Sequence, residues 1–270
     1  NDRFRIEMNR SEYIHRTAIV EEGAKVGSSV KIGPFCFVGP NVVLKPGVIL
    51  KNNVTVVGDT IVGDDTTVFP YATVGEIPQD LKFSGEETRL VIGKRNQIRE
   101  GVTINTGTSG GGGVTIVGND CLLMTGSHVA HDAQIGNNVI MANQSAVAGH
   151  CVIEDNVIIG GLSGVHQFVR IGRGAIIGAV TMVTNDVIPF GLVQASRGEL
   201  EGLNYVGLKR AGVSREDILA LRASYQILKQ GDGTFHDRAK KLLEETNSTY
   251  VKEVADFILG STDRSFLVPG

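Results

Sequence analysis

The chain has 270 residues, of which 41 % are hydrophobic, enough for one large domain or one domain with a modest appendage. No apolar run approaches the roughly 18–20 residues of a membrane helix, and 26 basic against 29 acidic residues, a net charge of −3, give no general attraction to nucleic acid. Three cysteines make no disulfide scaffold in so long a chain, whereas 35 glycines, nearly twice the usual share of roughly 7 %, point to closely spaced turns and so to a repeat.

The period is six. An aliphatic residue recurs at every sixth position from Val20 through Val26, Ile32, Val38, Leu44, Leu50, Val56, Val62 and Val68 to Val74. It resumes at Ile92, Ile98 and Ile104, then runs unbroken through twelve hexads from Val117 to Val183. In that tract the fifth position is always small or β-branched (Cys121, Ser127, Ala133 and onward), and glycine recurs at the second, as at Gly118, Gly136 and Gly160. Large aliphatic at one, small at five and a turn residue at two are the marks of a parallel β-helix of hexapeptides. Each hexad is a short strand plus a corner, with positions one and five inward. Three hexads close a triangle, so a coil takes 18 residues and coils stack about 4.8 Å apart. Strand crossovers are otherwise right-handed; a left hand is implied by the resemblance of these hexads to known left-handed β-helices.

The expectation is a mainly β chain, a left-handed parallel β-helix over 1–189 followed by a C-terminal α-helical domain over 190–270. Two segments, 80–91 and 107–116, break the beat and are expected to project from the prism, where long excursions often carry function. After Pro189 the hexads stop. Ser214 with Asp217 reads as a helix start, and Ile218, Leu219, Leu221, Tyr225 and Leu228 follow at helical spacing. Further helices are expected near 235–246 and 248–259, broken by Gly231, Gly233 and Gly260, and they would cover the open strand edges at that end.

The coil length turns sequence distance into position. His131, Gly149 and Gln167 form one vertical column, Asp132, His150 and Phe168 the next, and Ala130, Ala148 and His166 a third. Four of the six histidines, His128, His131, His150 and His166, thus gather on one edge. None falls at an inward position, so they are expected to face solvent or a neighbouring subunit. Histidine clusters suggest zinc, as in the trimeric γ-class carbonic anhydrases, but a third ligand at the matching interval is missing. Asp132 beside His131 suits the orientation of a general base better, and no metal or cofactor is expected. Cys36, Cys121 and Cys151 all fall at inward position five, so they read as inert thiols in a reducing compartment. What remains is direct chemistry: a histidine takes a proton from a hydroxyl that attacks an activated acyl carbon. Gly149, one coil above His131, is placed to offer its N–H to the oxyanion; a plain corner glycine is the alternative.

The stretch VGEIPQDLKFSGEETRLVIGKRNQIREGVTI (74–104), the block GSHVAHDAQIGNN (126–138), AVAGH (146–150), VHQF (165–168) and GLKRAG (207–212) resemble the bacterial UDP-N-acetylglucosamine acyltransferases. The resemblance covers nearly the whole chain. It implies transfer of an (R)-3-hydroxyacyl group from acyl carrier protein to the 3-hydroxyl of UDP-N-acetylglucosamine, the first step of lipid A biosynthesis, by a homotrimer with its clefts between adjacent prisms. It implies His131 as general base, Asp132 as its orienting partner and Gly149 as oxyanion donor. By the same resemblance His128, His150, His166 and Gln167 line the sugar and acyl cleft, and Asp80 and Lys82 contact the nucleotide sugar or acyl product. Asn204 and Arg210 hold the nucleotide, the arginine suiting a diphosphate. Val206 stands where the family commonly has an acidic residue, and Ala211 where a second arginine is common, so nucleotide contacts are expected to be fewer or shifted. Ala179 stands where a glycine often sets acyl length. Its methyl is expected to shorten the groove by about one or two CH₂ units, each worth roughly 0.8 kcal/mol of burial.

The rivals are the related N-acyltransferase, which carries a uridine-binding domain ahead of hexads that here begin by Val20; an acetyl-CoA-dependent acetyltransferase; and a β-helix that binds without chemistry. Acyl carrier protein is acidic, and Arg170, Arg173, Lys209, Arg210 and Arg215 are the candidate basic face for it. No secretory signal is visible. Met8 sits where bacterial members start, so residues 1–7 read as a remnant. The location expected is cytoplasmic for a bacterial chain, or mitochondrial (or another organelle) for a eukaryotic homologue with its targeting peptide removed.

Overall fold

A computed structural model of the chain describes residues 13–194, 198–260 and 265–269; residues 1–7 lie outside the described residues. The chain winds as a left-handed parallel β-helix with three faces. The first has eleven strands, from Tyr13–Ile14 to Gly191–Gln194 and Glu199–Leu203. The second has nine, from Ile19–Val20 to Met182–Val183, and the third eight, from Lys25–Val26 to Arg170–Ile171. Most strands are only two residues long, as a hexad with a corner requires. On the second face His128, Ala146, Gly164 and Met182 are successive partners at the expected interval of 18. Across the two inserted loops the interval widens to 30 (Thr67 with Gln97) and 25 (Thr103 with His128) without loss of register.

The position-one aliphatics fill the prism: Ile32, Leu50, Ile98, Ile159 and Ile171 are all buried, each worth about 1.5–3 kcal/mol relative to exposure. Position five points into a narrow corner, which is why it stays small. Its polar members also satisfy the neighbouring coil. Cys36 Sγ donates to the Lys51 carbonyl (2.7 Å), Cys151 Sγ to His166 (3.0 Å) and Ser163 Oγ to Gly178 (2.8 Å). Burial pushes the Cys121 thiol up to about 11.

The excursions are shorter than the interrupted beat suggests. Arg89–Ile92 pairs with both Asp59–Val62 and Val114–Val117, so 89–92 and 114–117 belong to the third face. A returning segment must find partners for its backbone groups, and it rejoins the ladder before the aliphatic beat shows. Residues 77–88 leave the prism. Residues 107–113 do not project; they fold back over the neighbouring coil.

At the C-terminal end Gly191–Gln194 stacks on Ile176–Ile177 beyond Pro189, and Glu199–Leu203 returns antiparallel to it. Among the described residues four helices follow: α1 (Tyr205–Arg210), α2 (Arg215–Gln230), α3 (Phe235–Glu245) and α4 (Thr249–Leu259). Only α1, short and capped by Asn204, has no counterpart in the sequence reading. Ser214 caps α2, and Thr234 with Asp237 forms a capping box on α3. Leu221, Tyr225 and Leu228 bury the inner face of α2, while Leu219 points outward. Tyr225 Oη donates to the Leu200 carbonyl (2.8 Å). Arg173 pairs with Glu253 of α4. Arg170 donates to buried Asp186 (2.8 Å) with Phe257 4.8 Å from its guanidinium. Arg170 and Arg173 therefore do not offer the free positive charge expected for an acidic partner; they clamp the helical segment to the prism. No helix among the described residues is long and apolar enough to cross a membrane.

Candidate active site

The edge between the second and third faces carries the site. Each coil turns there through a residue in the left-handed region: Asp132 at φ 59°, His150 at 61° and Phe168 at 65°. The same left-handed corner recurs elsewhere along the prism, as at Phe35, Tyr71, Leu162 and Val180, so it belongs to the fold. The shared geometry stacks the side chains. His150 lies flat on Phe168 (centroids 4.5 Å, interplanar angle 7°) and meets His131 edge to face (5.0 Å, 86°). The His150 N–H donates to the His131 carbonyl and that of Phe168 to Gly149, each at 3.1 Å.

His131 Nδ1 lies 2.8 Å from Asp132 Oδ2. Asp132 also accepts from the Thr108 backbone N–H (2.8 Å) and from Thr108 Oγ1 (2.7 Å), while its own N–H donates to Thr115 Oγ1 (2.7 Å). In the tautomer whose Nδ1–H this carboxylate accepts, the ring's free lone pair is on Nε2. The imidazole rests on Gly149: a Cβ there would sit 2.5 Å from His131 Cε1 and 2.7 Å from Nε2, so any side chain would displace the ring. The Gly149 N–H has no hydrogen-bond partner among the described residues.

His131 and Asp132 are each only 4 % exposed in the single chain, less open to solvent than His128, His150 and His166. The glycine-rich segment 107–113 covers Asp132. The Gly111 backbone lies so close to its carboxylate that a Cβ would overlap it, and the run of glycines is what allows the loop to lie flat there. Thr108, which sequence reasoning missed, holds the orienting carboxylate; it sits outside the hexad rhythm, so no periodic signal marks it. Phe168 lay in a recognised column, but its stacking depended on ring orientation.

His128, half-buried, lies 2.7 Å by Nδ1 from Thr103 Oγ1. Burial, the largest cause, and the nearby His131 leave its pKa below the ordinary histidine value, with a hydrogen bond to the Thr103 backbone pulling the other way. His150 is likewise depressed, mainly by burial, with Asp132 and more weakly Asp80 pulling the other way. Asp80 in the projecting loop thus belongs to the electrostatic surroundings of the cluster; it accepts from the Lys82 backbone N–H (2.9 Å), with the Lys82 side chain exposed. His166 and Gln167 are exposed one coil above Gly149. His131, Asp132 and His150 bring ligand-type atoms within 4.8 Å of one another. Both Asp132 oxygens already accept hydrogen bonds, which suits ring orientation better than cation binding.

The remaining candidates sit on other edges. Ala179 lies at the corner between the first and second faces. Asn204 accepts from the Gly207 N–H (2.9 Å) and donates to the Gly174 carbonyl (3.1 Å), so it fixes α1 beside the corner between the third and first faces. Arg210 ends α1, exposed, as is Val206. One prism therefore does not bring Asn204, Arg210 or Ala179 to the imidazole cluster.

Residues 186–267 match the second-domain model of UDP-N-acetylglucosamine O-acyltransferase, residues 114–149 the bacterial transferase hexapeptide model, and residues 8–109 a GMPPB C-terminal domain model. The chain is 64 % identical over 202 residues to the acyl-[acyl-carrier-protein]–UDP-N-acetylglucosamine O-acyltransferase of Paracoccus denitrificans, covering 75 % of this chain and 77 % of that one. It is 43 % identical to the protein of the same name from Aliarcobacter butzleri over 92 % and 95 % of the two chains. A crystal structure of UDP-N-acetylglucosamine acyltransferase superposes with a TM-score of 0.92 at 42 % identity, covering 95 % of this chain and 99 % of that one. With an imidazole, its carboxylate and a bare glycine aligned on a hexapeptide prism, and with these relatives, the chain belongs to the acyl-[acyl-carrier-protein]–UDP-N-acetylglucosamine O-acyltransferase family.

Proposed function

We propose that this O-acyltransferase moves an (R)-3-hydroxyacyl group from acyl carrier protein to the 3-hydroxyl of UDP-N-acetylglucosamine, the opening step of lipid A synthesis, by direct attack on the thioester. His131 Nε2 removes the hydroxyl proton as the oxygen attacks the acyl carbon. The tetrahedral oxyanion takes a hydrogen bond from the Gly149 N–H. Collapse expels the carrier thiolate, which receives the proton back from the imidazolium held by Asp132. No cysteine takes part, since all three are buried. The observation that carries the reading is the Asp132–His131–Gly149 alignment, with the basic nitrogen and an unengaged N–H on the same small patch.

The acting form in this reading is a homotrimer. Asn204 and Arg210 lie on a different edge from His131, so a second copy is needed to complete a nucleotide site. Phe35, Tyr71, Leu162 and Val180, all in the left-handed region and more than 60 % exposed, give the edge between the first and second faces an apolar surface fit for burial between copies. Lys209, Arg210 and Arg215 remain as the basic groups for the acidic carrier.

His131→Ala tests the reading. Turnover of UDP-N-acetylglucosamine with 3-hydroxyacyl carrier protein should fall by about 10²–10⁴, with melting temperature and assembly kept; undiminished turnover refutes the base. Thermal stabilisation by acetyl-CoA but not by UDP-N-acetylglucosamine would instead favour an acetyltransferase.

A further inference from the structure

Two segments that leave the hexad rhythm are joined to each other by one side chain. Glu86, half-buried in the projecting loop 77–88, turns its two carboxylate oxygens to different partners. Oε2 accepts from the N–H (2.9 Å) and Oγ (3.2 Å) of Ser84 in its own loop. Oε1 accepts from the N–H and Oγ of Ser109, each at 3.2 Å, in the glycine-rich segment 107–113. Ser109 follows Thr108, whose N–H and hydroxyl both hold Asp132. A continuous chain of contacts therefore runs from the projecting loop through Glu86, Ser109, Thr108 and Asp132 to the His131 imidazole.

Little else fixes the glycine-rich segment. The Arg89 backbone anchors its two ends, donating to the Gly113 carbonyl (2.8 Å) and accepting from the Gly107 N–H (3.3 Å). Between these ends, among the described residues, the ties from outside are Asp132 at Thr108 and Glu86 at Ser109. A Cβ on Gly110, Gly112 or Gly113 would meet nothing within 4 Å, so packing does not hold this stretch. Glycine also has more backbone freedom to lose than any other residue, and hydrogen bonds must supply the order. The N–H groups of Ser84, of Glu86 itself and of Ser109 hold the Glu86 carboxyl down to about 2, so the clasp keeps its charge at any assay pH.

We propose that Glu86 is a positioning residue for the general base: by clasping Ser109 it keeps Thr108 on the Asp132 carboxylate, and so keeps the His131 ring in its working orientation. The assignment rests on the proposed function and deepens it. Glu86 touches no reacting atom in this reading, and its effect falls on kcat rather than on binding of the sugar nucleotide.

The test is steady-state kinetics with UDP-N-acetylglucosamine and 3-hydroxyacyl carrier protein. Glu86→Ala should lower kcat by about 10- to 100-fold, the scale of a small misplacement at a reacting centre. KM for the sugar nucleotide and the melting temperature should stay near wild type. Glu86→Gln, which keeps the span and one acceptor oxygen, should restore part of the rate. A double-mutant cycle reads the coupling. Asp132→Ala leaves no carboxylate to hold, so adding Glu86→Ala to it should change kcat by no more than about twofold. Should Glu86→Ala fail to fold, Ser109→Ala, which removes one hydroxyl from the same clasp, takes its place in the cycle. An unchanged kcat in folded variants, a loss confined to KM, or the full loss repeated in the Asp132→Ala background each overturns the role of Glu86 alone. A wild-type protein that does not acylate UDP-N-acetylglucosamine overturns the proposed function and this assignment with it.

Discussion

Asp132 holds His131 because its lone pairs are already committed to Thr108 and the ring. Asp132→Asn would present an amide N–H or a weaker acceptor to Nδ1 and disturb the tautomer; turnover should drop about 10²–10⁴-fold with little change in KM for the sugar nucleotide, read by steady-state kinetics. Gly149→Ala pushes a methyl against the imidazole and should cost a comparable factor in kcat with a near-native melting temperature. His128 and His150 carry a pH signature. Their folded pKa values lie below the ordinary 6.5, so in the window between the folded value and 6.5 the unfolded chain binds more protons than the native one. Stability then rises with pH across that window and is lost on acidification below 6.5. Melting temperatures measured from pH 7 down to pH 5 should fall, and His128→Gln should flatten part of the slope.

At the scale of elements, a hexad is too short to be stable by itself; two-residue strands persist because each is paired above and below and plugged by an aliphatic side chain. The end of the stack needs a cover, and α4 supplies part of it through Arg173 and Glu253. Glu253 holds the Arg173 guanidinium pKa above its usual value, but the pair is about one-third exposed, so solvent screening limits its worth to about 1 kcal/mol or less. Arg173→Ala should therefore leave the prism intact and speed hydrogen exchange in 249–259; equal exchange in that segment would show that apolar packing alone fastens it. The hexads, the capped helices and the inert thiols were legible because each obeys a period or a capping rule. The path of 107–113 was not, since a glycine-rich loop encodes freedom rather than a destination.

At the scale of the whole molecule, the candidate residues divide among three edges of one triangular rod. Replacing Phe35 and Tyr71 together by aspartate should break the proposed trimer, read as monomer mass by light scattering, and abolish turnover even though every residue of the imidazole cluster is unchanged. A complementation assay probes the shared site directly. His131→Ala and Arg210→Ala proteins, each nearly inactive alone, should regain part of the wild-type rate when unfolded and reassembled together; no recovery would mean that the two residues serve one chain.

The sixfold rhythm by itself determined the prism, its inward and outward positions and the columns that bring His131 beneath Gly149 and His150 beneath Phe168, because a constant coil length converts spacing along the chain into height and edge. Tertiary structure alone decided what lies off that grid. The second loop closes over Asp132, the partner of His131, because Thr108 finds its carboxylate across 24 residues. Arg170 and Arg173 become clamps instead of a docking face, because Phe257 and Glu253 reach them from an aperiodic helical segment. A repeat specifies contacts between neighbours in the stack; contacts made by segments outside it follow from shape and charge met only once the chain has closed.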